Sequence, residues 1–325
     1  MATARWLVTG GAGFIGAHVA RALVASGREV VVVDDLSTGH RGRVPAGVEL
    51  AQGSVLDGAF LRSVIRRTSP TGVVHLAGKK SPTESMHSPV LYARENAGGV
   101  ISLLDAALDT GLDRIVFSSS CSVYGTPDSE HVDEDSPTRP DSPYGESKLY
   151  GERVLNASAD AHGIGVINLR YFNVVGAAAP ELRDTGAYNL IPLVLAALRR
   201  GEPCTVFGGD HPTPDGTCIR DYLDVEDLAD AHVRAAEALE TGRRKATYNV
   251  GRGAGSSVLE VLAAVSAASG TDVEHRVVDK RPGDPARIVG RVDRIARELG
   301  WTAAHDLTDM VTSAWAADRA AFESV

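Results

Sequence analysis

The sequence predicts an α/β chain: a doubly wound parallel sheet with a smaller α/β lobe toward the C-terminus. Three observations lead there. Short β-branched runs alternate with amphipathic stretches through the first half. The first strand passes into the first helix through a loop with three regularly spaced glycines. Beyond about residue 174 the regular alternation gives way to long loops punctuated by Gly and Pro.

Taken in order, "RWLVTG" (5–10) reads as a buried strand and "FIGAHVARALVASG" (14–27) as a helix. In that helix Ile15, Val19 and Leu23 recur at helical spacing, and Gly27 can end it. "EVVVVDD" (29–35) is an unbroken apolar run ending in two acids, which suits a parallel strand covered on both faces. Further strands are expected at 48–53, 71–78, 113–120 and 162–173, with helices near 57–68 and 91–111 between them. The stretches "VVGAAAPELRDTGAYN" and "FGGDHPTPDGTCIRDY" read as long functional loops. "VEDLADAHVRAAEALETG" (225–242) is a clear helix, and a last helix is expected near 306–322.

Composition narrows the function. The 325 residues are 43% hydrophobic and 23% charged, as in ordinary globular chains. No apolar run approaches the ~20 residues of a membrane span, and no apolar leader with a cleavage site opens the chain. The net charge of −9 argues against nucleic acid as a partner. Cys121, Cys204 and Cys218 are scattered, without C-x-x-C or His at metal spacing, so we expect reduced thiols, a cytoplasmic setting and no metal.

"VTGGAGFIG" supplies Gly10, Gly13 and Gly16 between a strand and a helix. Glycines there let the turn close and let the backbone approach a pyrophosphate, while the helix N-terminus offers free N–H groups. Phe14 and Ile15 would pack beside that ligand. Asp34 closes the second strand 18 residues after Gly16. A carboxylate at that place accepts both hydroxyls of an adenosine ribose and repels a 2′-phosphate, which selects NAD over NADP; Asp35 strengthens the preference.

"DSPYGESKLYGE" (141–152) holds Tyr144 and Lys148 four positions apart, on one face of a helix. The spacing alone is common. Beside a dinucleotide fold it becomes an acid–base pair, with Ser120 in "FSSSCSVYG" at the end of the fifth strand as third member and Ser122 as a substrate contact. A neighbouring ammonium and a nicotinamide cation would both favour the phenolate, so Tyr144 is expected to act as base or acid near neutral pH.

Together these motifs resemble the extended short-chain dehydrogenase/reductase superfamily. "LRYFNVVGA" (169–177) and "HPTPDGTCIRDYLDVEDLADAH" (211–232) narrow the resemblance to the UDP-galactose (UDP-glucose) 4-epimerase family, over about residues 5–315. The resemblance implies a Rossmann-type NAD-binding domain over 1–173, with 225–251 packing back on it, and a UDP-sugar lobe from 174–224 and 252–325. It also implies a homodimer. In the implied reaction Tyr144 takes the proton of the sugar 4-hydroxyl as C4 gives hydride to NAD, the 4-keto sugar rotates, and hydride returns to its other face. Lys148 would hold the nicotinamide ribose, and Ser120 the 4-oxygen.

The resemblance further implies cofactor contacts at Leu36, Ser37, Thr38 and Gly39, at Ser54 and Val55, at Leu76, Ala77 and Gly78, and at Lys80, Asn96 and Phe172. Asn173, Asn189, Phe207, Arg220, Arg281, Asp284 and Ile288 would meet the nucleotide-sugar, with Lys80 also reaching it. Three positions depart from the family pattern: Ser54 stands for an Asp, Asp224 for a His, and Arg291 for an Asp. Two other readings keep the fold and change the substrate, to UDP-glucuronate (with Arg183 pairing its carboxylate) or to UDP-N-acetylglucosamine. A last one, a non-catalytic NAD-binding regulatory protein, has no use for Ser120, Tyr144 and Lys148 together.

Overall fold

The computed structural model describes residues 3–186, 189–242, 245–281 and 284–323. The first half runs β1 (Arg5–Thr9), α1 (Phe14–Ala25), β2 (Glu29–Asp34), β3 (Glu49–Gln52), α2 (Gly58–Thr68) and β4 (Gly72–His75). Two short helices, α3 (Pro82–His87) and α4 (Pro89–Tyr92), lead into α5 (Gly98–Thr110). Then come β5 (Arg114–Ser118), α6 (Pro143–His162) and β6 (Gly165–Tyr171). The second half holds β7 (Asn173–Val175), α7 (Leu190–Arg200), β8 (Cys204–Phe207), β9 (Ile219–Asp224), α8 (Val225–Glu240), β10 (Lys245–Val250) and β11 (Gly255–Ser257). It closes with α9 (Val258–Ser269), β12 (His275–Val278), β13 (Arg287–Ile288), α10 (Asp293–Leu299) and α11 (Leu307–Glu323).

Seven strands form one parallel sheet in the order β10-β6-β5-β4-β1-β2-β3. Alternation along β1 shows why the strands are apolar throughout. Trp6 and Val8 enter the layer that holds Val19, Leu23 and Leu228 of α1 and α8, while Leu7 enters the layer of Leu61, Leu103 and Leu155 from α2, α5 and α6. The chain winds outward in both directions from the β1–β4 pair, so a crevice opens at the C-terminal ends of those strands. β10 joins the edge of this sheet after the chain has passed through the second lobe, and α8 packs beside α1.

The second lobe is built around β9, which pairs with β7 and β13 in parallel and with β11 antiparallel. Its own core gathers Val194, Leu195, Val206, Val261, Val265 and Met310. Here the sequence reading needs correction: residues 219–222 of the stretch read as loop belong to β9. The strand is fixed by Asp221, whose buried carboxylate accepts the N–H groups of Arg252, Gly253 and Gly290 at 2.8, 3.1 and 3.2 Å. Burial pushes that carboxyl up to about 6, against the lowering by the three amides.

Two of the family departures acquire a physical account. Asp224 is the N-cap of α8, accepting the Glu226 N–H at 2.7 Å, a role Asp fills well. Arg291 adds positive charge beside Asp133, whose carboxyl is held below its ordinary range by a hydrogen bond from Ser136, by backbone amides and by that guanidinium. Among the described residues no helix is long and apolar enough to cross a membrane, and no cluster of His, Cys, Asp and Glu could hold a metal ion.

Candidate active site

The crevice is a cleft of about 440 Å³ reaching from the glycine loop to the start of α6. Gly10 has φ +73°, and a Cβ there would stand 2.7 Å from the Ala77 nitrogen. A Cβ on Gly16 would stand 2.1 Å from the Gly10 carbonyl oxygen, so α1 packs against the loop only with glycine at that place. Gly13 is the N-cap of α1 and supplies no side chain to its first-turn amides, nor does that turn carry an acid. The loop thus presents backbone N–H groups and the positive end of a helix dipole to the cleft.

Asp34 lies buried at the end of β2, one oxygen accepting Ala12 N–H at 3.0 Å and the other Leu36 N–H at 2.8 Å. Burial raises its pKa and the two amides oppose the rise. The carboxylate is therefore fixed in place, with lone pairs left for a ribose. Asp35, Ser37, Thr38, Ser54, Val55, Leu76, Ala77, Gly78 and Lys80 line the cleft as well, with Phe14 and Ile15. Ser54 Oγ accepts Leu56 N–H at 3.1 Å, so part of its capacity goes to its own turn.

Four predicted cofactor residues stand outside the lining. Leu36, at φ +62°, and Gly39, where a Cβ would lie 2.8 Å from Asp34, shape the turn beside the carboxylate. Asn96 is buried; its amide accepts Lys79 N–H at 2.7 Å and donates to Lys79 O and Ser147 Oγ, which ties the loop after β4 to α6. Phe172 packs in a small cluster with Val123, Tyr124, Val132, Leu149 and, at its edge, Ile288.

α6 carries the candidate chemistry. Ser142 caps it, its Oγ accepting Gly145 N–H at 3.2 Å, and Pro143 opens its first turn. A Cβ on Gly145 would stand 2.5 Å from Ser122 O; glycine there lets the first turn press on the segment that follows β5. Tyr144 is thereby brought beside Ser120, whose hydroxyl favours the ionised phenol. Ser120 Oγ also accepts Ser122 N–H at 3.1 Å and lies 3.2 Å from Ser122 Oγ.

Lys148 lies one turn further on, its ammonium donating to Ser118 O at 2.9 Å and standing 6.0 Å from the centre of the Tyr144 ring. Burial pulls its pKa down to about 8. Burial pushes Tyr144 up to about 12, against the Ser120 hydrogen bond. Among the chain's own groups desolvation dominates.

The second lobe brings its predicted residues together in three groups. Arg220 pairs with Asp284. The exposed Arg281 guanidinium stacks 3.8 Å from the centre of the Phe207 ring. Asn189 donates to Asp184 at 2.7 Å, and Asp184 also pairs with Lys80 at 3.4 Å. Asn173 is exposed at the start of β7, and Ile288, half-buried, sits in register with Arg220. Arg183 lies over the Phe322 ring, 5.7 Å from its centre, in a separate cavity of about 250 Å³ between α7 and α11.

Sequence reasoning missed Tyr171, Arg43, Asp184 and Glu84, which also line the cleft. Tyr171 adjoins Phe172 in a stretch already singled out and could have been found there; nothing in the sequence marks Arg43.

The profile of the "NAD dependent epimerase/dehydratase family" matches residues 6–251. A UDP-glucose 4-epimerase of Azospirillum brasilense is 45% identical over 331 aligned positions, covering 100% of this chain and 94% of that protein. Among solved structures, a UDP-glucose-4-epimerase from Stenotrophomonas maltophila with bound NAD and formylated UDP-arabinopyranose superposes with a TM-score of 0.94 at 38% identity, covering 99% of this chain and 100% of that one. UDP-glucose 4-epimerase from Brucella ovis in complex with NAD gives 0.93 at 37%, covering 97% and 98%. With a family profile matched over most of its length and a relative this similar end to end, the chain belongs to the NAD dependent epimerase/dehydratase family.

Proposed function

We propose that this protein is a UDP-hexose 4-epimerase that interconverts UDP-glucose and UDP-galactose with bound NAD. The observation that carries the reading is the meeting of Ser120, Tyr144 and Lys148 at the end of a cleft whose other end is the glycine loop and Asp34. A pure binding protein has no need of that trio. The relatives described above bear the same activity in their names, and two of the solved structures hold NAD.

The residues present fit NAD. The glycine loop is a cradle that Cβ atoms at Gly10 and Gly16 would fill, α1 offers an open N-terminus, and Asp34 holds a carboxylate at the ribose end. When bound, NAD supplies an acceptor for hydride from the sugar C4 and gives it back. Tyr144 takes the proton of the 4-hydroxyl and later returns it to the 4-oxygen; Ser120 orients that oxygen by a hydrogen bond. Lys148, held by Ser118, adds the positive charge that stabilises the phenolate. Atoms balance: one hydride and one proton leave the substrate and return, with C4 inverted.

The division of labour follows the chain. Residues 1–173, with 225–251 in the same layers, hold the cofactor; 174–224 and 252–325 hold the nucleotide-sugar. Arg220 and Arg281 supply close-range cations for the diphosphate of a substrate that a −9 protein would otherwise repel. Phe207 offers a ring beside the uracil, and Asn173, Asn189, Asp284 and Ser122 give polar contacts. Ile101 and Leu108 of α5 and Tyr150 of α6 are exposed apolar side chains on two helices through which a cytoplasmic homodimer would assemble.

The test is direct. Incubate the purified protein separately with UDP-glucose, UDP-glucuronate and UDP-N-acetylglucosamine and follow C4 inversion by NMR. Inversion of UDP-glucose is expected; no inversion of UDP-glucose overturns the proposal. Arg183, engaged with Phe322, gives no support to the uronate reading.

A further inference from the structure

Residues 176–186 follow β7, and the last three of them, Asp184, Thr185 and Gly186, line the cofactor cleft. The segment is fastened at three places. On the α1 side, His18 Nδ1 lies 2.8 Å from Phe14 O and so carries the proton, leaving Nε2 to accept Ala178 N–H at 3.2 Å; Arg21 pairs with Glu181 at 3.0 Å nearby. On the β4 side, Lys80 pairs with Asp184. On the β2 side, Arg43 donates from Nε to Glu181 O at 3.3 Å and from Nη2 to Arg183 O at 2.8 Å and Thr185 Oγ1 at 3.2 Å.

These fastenings are unequal. The Arg21–Glu181 pair and the Lys80 end of the second pair are exposed, and such pairs hold little. Arg43 is only 5% exposed, so its hydrogen bonds are partly shielded from water, and they are charge-assisted. One planar guanidinium holds three acceptors on the strap, which must be released together. The acceptors are two carbonyls and a hydroxyl, none of them charged, and Arg43 itself lines the cleft with Asp35, Ser37 and Thr38.

We propose that Arg43 is a positioning residue that latches the 178–186 strap over the cofactor cleft and thereby sets the rate at which bound NAD leaves. The inference rests on the NAD reading above. A cycle that returns its cofactor unchanged never requires release between turnovers, so a latch can slow exchange without slowing catalysis. Arg43 acts through the strap, with no part in hydride or proton transfer.

The test follows exchange in the NAD-loaded holoenzyme. Chase it with isotopically labelled NAD and measure the bound label by mass spectrometry over time, for wild type, Arg43→Ala, Arg43→Lys and Thr185→Val. Losing several charge-assisted bonds should speed exchange about tenfold or more in Arg43→Ala. Lys, a point donor that cannot span three acceptors, should fall between Ala and wild type, and Thr185→Val should rise slightly. The activity of Arg43→Ala should become dependent on added NAD after dilution. A purely structural role would lower the melting temperature and leave exchange at 25 °C unmoved.

Wild-type protein that carries no NAD overturns the cofactor reading and the latch with it. Wild-type protein that carries NAD, with Arg43→Ala exchanging at the wild-type rate, overturns the latch alone. If Arg43→Ala does not fold, Arg43→Lys decides: exchange no faster than wild type overturns the latch.

Discussion

The Lys148 ammonium donates to the Ser118 carbonyl at 2.9 Å, on the same helical face as Tyr144 and beyond hydrogen-bonding reach of its ring. The two groups are therefore poised by burial: the lysine is easier to deprotonate than usual, the tyrosine harder. The nicotinamide charge that arrives with NAD is what would tip the phenol toward ionisation. Tyr144→Phe keeps the ring and removes the proton acceptor. General acid–base groups contribute ~10²–10⁴ in rate, and a loss in kcat at the upper end of that range is expected, with NAD content retained. Steady-state rates and the NAD released on denaturation check both halves; near-normal turnover removes Tyr144 from the mechanism.

The cofactor should co-purify, because Asp34 and the glycine loop hold it through a redox-neutral cycle. Denatured protein should release NAD and little NADP. Gly16→Ala would set a methyl 2.1 Å from Gly10 O, so α1 must shift from the loop and NAD binding should be lost with the fold's stability lowered. Fluorescence of bound NADH, measured in parallel with a thermal melt, distinguishes these effects. Release mainly of NADP would sink the reading of Asp34.

Acid should destabilise the fold through its buried histidines. Burial pulls His18 and His232 down to about 4 and His75 to about 3. Their unfolded values are higher, so the unfolded chain binds more protons as pH falls from about 6.5 toward 4, and stability is lost across that window. Asp221 and Asp224, raised to about 6 by burial, act oppositely between about 6 and 4, and Asp34 and Glu134, also raised by burial, act with them. The histidine shifts are the larger, so the net effect of falling pH is a loss of stability toward pH 4. Thermal melts from pH 7.5 to 4.5 should show a falling Tm. His232→Gln, which removes one of the three, should flatten the slope; a Tm independent of pH in wild type contradicts this account.

What could be read from the sequence was local. β1, α1 and β2 follow from apolar runs and a helical period, and the glycine loop and Asp34 from their place between them. Tyr144 and Lys148 follow from one helical turn. What could not be read joins distant parts of the chain. β9 hides in a Gly- and Pro-rich stretch because its partners are β7, β11 and β13 and its Asp221 is satisfied by amides up to 69 residues away. Arg43 reaches backbone carbonyls nearly 140 residues on, and a carbonyl acceptor leaves no trace in side-chain identity. Tyr144's raised pKa likewise comes from burial, which spacing does not report.

Substrate breadth should turn on Ile288. The residue ends β13, in register with Arg220 on one side and against the Phe172 cluster on the other. It is half-buried, so part of its surface remains free beside residues assigned to the cofactor and the nucleotide-sugar. In the resembled family a Tyr at this place narrows the space beside the sugar C2 substituent. Ile is shorter and lacks the hydroxyl, which opens room; its branching at Cβ keeps the side chain stiff, which limits how far that room extends. UDP-glucose should therefore be the better substrate, with measurable turnover of UDP-N-acetylglucosamine. Ile288→Tyr should lower kcat/KM for the acetylated sugar by roughly tenfold or more and leave UDP-glucose little changed, because filling a pocket penalises the larger ligand. The competing role is packing alone, since Ile288 does touch the Phe172 cluster. In that case both sugars suffer together. The ratio of the two kcat/KM values in wild type and Ile288→Tyr decides: an unchanged ratio means that Ile288 packs the lobes and does not gate the sugar.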